Sequence, residues 1–231
     1  RKALQRLHIR WYHAPTEQLT RQLRAANVPA RALADIPAVV QGCSICRDWV
    51  PPRPKNIAAI RLVLEFNEEV QQDLMFYNES LLEPNRPQIV INVVIDVCLR
   101  FAQTGVCKSR EEEELTRSIS AIWISIFGAP QTLALDEETG MRGQHARDWA
   151  NANGINLKFK APRQHAWVVE RHIRMIREGL HRTESQIVKE GLRGIVFEHV
   201  LAIVTFMHNS LNTMNGSTAY QGVFGLSLIH I

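Results

Sequence analysis

Two carboxylates and a histidine–cysteine quartet are the residues whose type and spacing could do chemistry in this chain. The strand-like run Thr132-Leu133-Ala134-Leu135 ends on Asp136, and a helix-like run from Ala166 to Leu180 carries Glu170. Asp136 closes a short apolar run and is followed by Glu-Glu-Thr-Gly, a pattern that sets its side chain at the carboxyl end of a strand, beside a turn. Glu170 opens the basic stretch Glu170-Arg171-His172-Ile173-Arg174-Met175-Ile176-Arg177, where helical spacing brings Arg174 and Arg177 to its face. A carboxylate among arginines can be a plain ion pair. Joined by a strand-end Asp it can also hold a divalent cation against a phosphate, which is what phosphoryl transfer requires.

The quartet lies near the start of the chain. His8 and His13 form His-x4-His, and after a gap of 29 residues Cys43 and Cys46 form Cys-x2-Cys, a donor set that suits one tetrahedral zinc. A five-residue step does not put two histidines on one helical face, so the chain is expected to bend near Trp11 and Tyr12. A helix should then run from Pro15-Thr16 to about Ala26, with a second helical piece over Leu33 to Val40. So small a helical unit has little core of its own, and a metal crosslink would supply the missing stability. Surface histidines with a chance Cys-x2-Cys are the plainer alternative. Cys98 and Cys107 sit singly in apolar runs and read as small buried hydrophobes, not as a disulfide framework.

The remaining elements follow from periodicity. Residues 48–55 are basic and proline-rich, which marks an extended linker and a domain boundary. Strands are expected over Val70 to Tyr77, containing Asp73, over Gln88 to Val97 and over Phe101 to Val106. Ser109-Arg110-Glu111-Glu112 reads as a capping box that starts a helix with Leu115, Ile119, Ile122 and Ile126 facing inward, stopped by Gly128-Ala129-Pro130. The Asp136 strand comes next, then a helix from Arg142 to Asn153, a strand Asn156 to Phe159 and the Glu170 helix. A final helix should place Leu192, Val196, Val200, Ile203 and Met207 on one side. The glutamates 111–114 are read as a solvated first turn favoured by the helix dipole, and Trp123 and Trp149 as helix-core anchors.

With 231 residues, 45% hydrophobic and 22% charged, the chain has material for one sizeable domain and a small one. Its longest apolar runs are too short or too charged to span a bilayer. Charge is segregated: residues 1–61 hold eleven Lys/Arg against three Asp/Glu, 62–140 five against fourteen, and 141–231 eleven against six. Basic flanks around an acidic centre fit a protein that grips a polyanion and concentrates metal-binding acids between the grips, although a salt-bridged solvated surface has the same composition. The start, Arg1-Lys2-Ala3, reads as a cut through a longer polypeptide, and residues 226–231 as a non-native tail.

The order His-x4-His, Cys-x2-Cys, Asp73, Asp136, Glu170 resembles the integrases of long-terminal-repeat retroelements, of the copia-type branch. Matching stretches run through nearly the whole chain: Leu7-His8 to His13-Ala14-Pro15, Gly42 to Cys46, Val93-Val94-Ile95-Asp96 to Arg100-Phe101, Ile126 to Pro130, Val169 to His172, and His208 to Leu211 with Ala219-Tyr220-Gln221. The resemblance implies an α/β, ribonuclease-H-like core with a mixed five-stranded sheet flanked by helices, over 63–225. Before it come a helical zinc-binding domain, 1–50, and a linker, 51–62. His8, His13, Cys43 and Cys46 would hold Zn2+. Asp73, Asp136 and Glu170 would be the catalytic acids, holding two Mg2+ (or Mn2+) ions roughly 4 Å apart. The implied reaction trims element DNA ends with water and joins the new 3′-hydroxyl to target DNA. Lys158, Lys160, Arg163, Arg171, Arg174 and Arg177 would neutralise phosphates of double-stranded DNA. A homo-oligomer, without membrane association, in the nucleus or a cytoplasmic element particle completes the expectation.

Asp73 is preferred to Asp96 as the first acid because it lies on the first strand, central in this fold and next to the fourth; Asp96 sits among apolar neighbours and reads as structural. Glu178, two turns beyond Glu170, is a weaker rival. Two departures stand out: the glycine that commonly follows the second Asp closely is delayed to Gly140, and Ala166-Trp167-Val168-Val169 replaces the common Asn-Gly before the final Glu. A noncatalytic DNA-binding module and a hydrolytic nuclease of the same fold remain the alternative readings.

Overall fold

A computed structural model of the chain describes residues 1–48, 63–78, 80–85, 88–136, 140–159, 167–214 and 216–226. The expected linker, 51–62, and all but Leu226 of the expected tail, 226–231, lie outside them. Two compact units result, Ala59–Met175 and a second made of Arg1–Ala58 with Ile176–Ile231.

The first unit is built on a five-stranded mixed sheet. Strands β1 (Glu69–Tyr77), β2 (Ile89–Asp96), β3 (Ala102–Cys107), β4 (Thr132–Leu135) and β5 (Asn156–Phe159) lie in the order β3-β2-β1-β4-β5. The first three form an antiparallel meander, and β4 and β5 are parallel to β1. This is the expected architecture. Strand β2, between β3 and the central β1, reads Ile-Val-Ile-Asn-Val-Val-Ile-Asp and is buried on both faces except at Val90, as a largely β-branched run should be. Its one interior amide, Asn92, is fully satisfied in kind: its Oδ1 accepts from Gln72 Nε2 at 2.9 Å and its Nδ2 donates to Ser118 Oγ at 3.1 Å. Two strands and the helix beyond them are tied together by that chain of buried amides.

The helical segment after β3 corrects two expectations. Helix α6 (Glu112–Ile119) has Glu111 as its N-cap, with no side-chain cap; Ser109 Oγ instead accepts from Glu111 N at 3.3 Å, a local turn before the helix. The helix then passes through a π-turn, Ser120–Ile124, into α7 (Ser125–Phe127). The wider turn shifts the inward face, so Trp123 is fully buried while Ile126, expected in the core, is 54% exposed. Gly128, at φ 77, ends the helix as expected.

Trp123 donates Nε1 to Asn67 Oδ1 at 2.9 Å, and Asn67 Nδ2 donates to the carbonyls of Phe127, Gly128 and Ala129. Asn67 N donates to Asp96 Oδ1 at 2.8 Å, and Asp96 Oδ2 accepts from Leu99 N. Asp96 is therefore a buried turn-former, with burial raising its pKa against the lowering effect of these hydrogen bonds. Phe66, Phe101, Trp123 and Phe127 close over this joint with ring centroids 4.9–6.1 Å apart.

Helix α8 (Gln144–Ala152) buries Ala146 and Ala150 and leads to β5; Trp149, half-buried, donates to Ser120 Oγ at 3.0 Å. Helix α9 (Trp167–Lys189) carries Glu170 and continues well beyond Leu180.

In the second unit, α1 (Lys2–Arg10), α2 (Thr16–Ala25), α3 (Ala30–Leu33), α4 (Ile36–Gln41) and α5 (Ser44–Asp48) follow one another. The helical piece expected over Leu33 to Val40 is thus broken at Ala34-Asp35. Helix α10 (Phe197–Leu211) supplies Met207 and Leu211 to the same core as Ala14, Leu19, Leu23 and Ile36, so the N-terminal helices do not rely on themselves alone. Leu192 and Val196 precede α10, whose N-cap Val196 is extended, and both are exposed; Phe197, Leu201 and Val204 are buried instead. Gly179 lies within α9 because a Cβ there would stand 2.7 Å from Val204 Cγ1, which lets α10 approach closely. A short hairpin, β6 (Thr213–Met214) and β7 (Ser217–Thr218), leads to α11 (Ala219–Phe224), whose start is a capping box between Thr218 and Gln221. No helix among the described residues is long and apolar enough to cross a membrane.

Replacing Asp96 by Ala would leave the N–H groups of Asn67 and Leu99 without their acceptor. The expected cost is about 1–3 kcal/mol, read as a lowered urea midpoint; an unchanged midpoint would show that the joint does not depend on this carboxylate.

Candidate active site and metal centre

The register of the sheet decides where the acids fall. In the parallel pair β1·β4, Gln72 lies opposite Leu135, so Asp73 and Asp136 are the next residues along two adjacent strands. Residues in register on neighbouring strands point to the same side of a sheet. Glu170 comes from the first turn of α9, which is fixed to β1 by a buried hydrogen bond: Val169 N donates to Gln71 Oε1 at 3.4 Å. Val169 is the third residue of the helix, so its N–H has no partner within it. Gln71 is two residues before Asp73 and shares its face, so one side chain of β1 sets the position of the helix that bears the third acid.

Asp73, Asp136 and Glu170 line one open cleft of about 490 Å³. Its other walls are Leu74, Phe76, Arg110 and Gly140. Hard carboxylate oxygens from three elements, in a cleft open to solvent, fit Mg2+ or Mn2+ in donor chemistry. The acids share the cleft without crowding onto one point; among the described residues only the His/Cys quartet is gathered that tightly. Glu178, the rival to Glu170, lies 3.7 Å from Arg182 as an i,i+4 ion pair.

After Asp136 the described chain resumes at Gly140. A Cβ on Gly140 would stand 2.6 Å from the carbonyl oxygen of Arg110, so the delayed glycine permits a close main-chain approach. Glu112, expected in a solvated turn, caps α8: its carboxylate accepts from Gly143 N and, at 3.3 Å, from Ala146 N. Glu114 is engaged too, with Arg117 at 2.6 Å and Lys108 N at 3.0 Å.

Of the basic residues expected to meet phosphates, Arg171 and Arg174 are exposed on α9 and Arg177 is half-buried. Lys158 Nζ lies 3.6 Å from Glu69 Oε2, so part of its charge is spent within the sheet. Lys160 and Arg163 fall outside the described residues.

In the second unit the quartet closes. One donor atom each from His8, His13, Cys43 and Cys46 lie within 4.8 Å of one another. His13 Nδ1 is 3.3 Å from Cys43 Sγ and 3.7 Å from Cys46 Sγ, and His8 Nε2 is 3.4 Å from Cys46 Sγ. Four donors at Zn–N and Zn–S bond lengths would be separated by about 3.3–3.8 Å, so the group fits tetrahedral zinc. The bend is where the spacing requires it: Tyr12 and His13 take left-handed φ values of 49 and 62, and His13 N donates to His8 O at 2.9 Å. His8 Nδ1 is 3.1 Å from Ala14 O, a partner that only an N–H can satisfy, which leaves the Nε2 lone pair facing the sulfurs. Burial lowers the pKa of both histidines, His13 to about 4, so each is neutral and able to ligate. Burial and the neighbouring Cys43 push the Cys46 thiol up to about 12, so a metal must displace its proton.

Gln71, Arg110, Glu112 and Asn67 were not singled out as site or joint residues by sequence reasoning. The adjacent polar pair Gln71-Gln72 inside a buried strand was the one signal available, since buried amides imply partners.

No family model and no curated protein matches the sequence. Solved structures do. A chain of the simian T-cell lymphotropic virus intasome, determined in complex with PP2A regulatory subunit B56 gamma, aligns over 94% of this chain and 71% of its own, with 17% identity and a TM-score of 0.70. The HTLV-2 integrase catalytic core domain in complex with magnesium aligns over 70% of this chain and 98% of its own at 17% identity, with TM-scores of 0.53 in a trimeric form and 0.54 in a dimeric form. At that identity the likeness is one of fold.

Two measurements check these assignments. Gln71→Leu removes the acceptor of Val169 N–H and is expected to destabilise the first turn of α9 by about 1–3 kcal/mol, seen as faster amide exchange from Val169 onward; unchanged exchange would remove Gln71 from its positioning role. Purified protein should carry one zinc per chain, and chelation should speed amide exchange across α1–α5 while β1 and β2 stay protected. Indifference to chelation would mean that the quartet is not a structural metal site.

Proposed function

We propose that this chain is an integrase of a long-terminal-repeat retroelement of the copia type, a metal-dependent polynucleotidyl transferase acting on double-stranded DNA. The observation that carries the reading is the meeting of Asp73, Asp136 and Glu170 in one cleft of an integrase-type sheet. The zinc-competent quartet in an N-terminal helical segment supports it independently, since the nuclease alternative gives no reason for one.

In this reading the three carboxylates hold Mg2+ or Mn2+, and bound metal would neutralise the phosphate and lower the cost of forming an oxyanion nucleophile there. Asp73 is part of β1 and Asp136 follows the last paired residue of β4; Glu170 is set by α9 and its Gln71 contact. In end processing a water oxygen bonds to phosphorus as the bond to the 3′-oxygen breaks, and that oxygen leaves as a 3′-hydroxyl carrying the proton the water loses. In strand transfer the element's 3′-hydroxyl oxygen bonds to phosphorus of the target strand, a target 3′-oxygen leaves, and the proton lost by one hydroxyl is regained by the other. One phosphodiester replaces another, so no external energy source is needed. Arg171, Arg174 and Arg177, with Lys158, Lys160 and Arg163, contact phosphates and give salt-sensitive affinity with little sequence choice. Self-association of the chain and residence in the nucleus or a cytoplasmic element particle belong to the same proposal.

A strand-transfer assay with labelled duplex ends and a target duplex tests it. The wild-type chain should join the two only when Mg2+ or Mn2+ is present, and Asp136→Asn should reduce joining at least about 100-fold with duplex binding retained. Cutting without joining would favour a hydrolytic nuclease; binding alone, or full joining by Asp136→Asn, would overturn the proposal.

A further inference from the structure

The cleft that holds the three acids has one cationic wall residue among those described, Arg110. Nothing in the sequence pattern gave it a role beyond the start of a helix, yet its surroundings are specific. Its guanidinium carbon lies 5.5 Å from the ring centroid of Phe76, which is on β1 three residues after Asp73 and lines the same cleft. Its main-chain carbonyl backs onto Gly140, where any Cβ would collide. Two residues on, Glu112 caps α8. Residue 110 is thus held between the strand bearing the first acid and the segment that follows the second.

An arginine laid over an aromatic ring keeps its N–H edges available, and a planar fork of donors matches a phosphate's oxygens. Three acids make the cleft repel a polyanion except at the phosphate that metal ions would neutralise. The neighbouring phosphates of a bound strand carry the same charge and need a cation of their own. We propose that Arg110, seated on Phe76, grips a backbone phosphate of the DNA strand beside the one that reacts, and so sets the strand's position over Asp73, Asp136 and Glu170. The identity of the strand rests on the proposed function; the phosphate grip rests on the geometry. Arg110 is a positioning residue, and the contact reads no base.

The test compares wild type with Arg110→Ala, Arg110→Lys and Phe76→Leu. Binding of a fluorescent duplex is measured across KCl concentrations with Ca2+ in place of Mg2+, and joining is measured with Mg2+. Each phosphate left without its protein cation flattens the slope of log K against log salt by about 0.9. Arg110→Ala should show that reduction, about tenfold weaker binding and a raised KM for DNA with kcat changed far less. Arg110→Lys restores the charge and should recover the slope, but not the full affinity, because its ammonium has no flat face to lie on the ring. Phe76→Leu should keep the slope and bind more weakly than wild type. Arg110→Lys preserves the main-chain approach to Gly140, so it carries the comparison should the alanine variant fold poorly.

An unchanged slope and KM in Arg110→Ala, with wild type active, overturns this inference and leaves the proposed function standing. A reduced slope in a chain whose wild type neither cuts nor joins overturns the proposed function and leaves the phosphate grip.

Discussion

The parallel pairing of β1 with β4 is the constraint on which the candidate active site depends. Its register sets Asp73 beside Asp136, and a slip of one residue would turn one of the two carboxylates to the opposite face. The pair is protected against slipping by its neighbours. Val70, Leu133, Ala134 and Leu135 are fully buried, and β1 is held on its other edge by the eight-residue antiparallel register with β2. Gln71 then extends this order to α9. A strand pair that places two of the acids is thereby made to locate the helix carrying the third.

A second joint, at the Asn67 end of the sheet, keeps the helical layer in place. Asn67 uses its backbone N–H, its side-chain amide and its side-chain carbonyl to tie Asp96, Trp123 and the end of α7 together. The stretches that carried the family resemblance, around Asp96 to Phe101 and Ile126 to Pro130, are largely the walls of this joint. These stretches thus have a folding role distinct from the chemistry of the cleft.

Much of this was legible in the sequence, for physical reasons that differ by element. β2 was readable because a strand buried on both faces needs a β-branched run, and the expected ends of β1, β2 and β3 fall within about two residues of those seen. The zinc-competent quartet was readable because a tetrahedral zinc ion demands four particular donors, and the awkward His-x4-His step placed a bend near Trp11 and Tyr12, one residue from the left-handed Tyr12 and His13. Asp136 and Glu170 were singled out by strand-end and helix arguments and Asp73 by the family resemblance; all three line one cleft. What failed did so where tertiary packing overrode local pattern. The π-turn at Ser120–Ile124 rotated Ile126 out of the core, Glu112 of α6 was recruited to cap another helix, and α10 is buried on so many sides that no single face of it could be read from periodicity. Arg110 left no mark in the pattern, and Gln71 only that of a polar residue in a buried strand, since each acts through residues remote in the chain.

The most direct measurement of the central claim is the anomalous diffraction of crystals soaked in Mn2+. If Asp73, Asp136 and Glu170 form a metal-holding site, manganese peaks should lie in their cleft, within coordination distance of carboxylates from β1, from the end of β4 and from α9, and should vanish in Asp136→Asn crystals. A cleft without manganese at concentrations well above those that support divalent-metal enzymes, or peaks that persist unchanged in Asp136→Asn, would contradict the account.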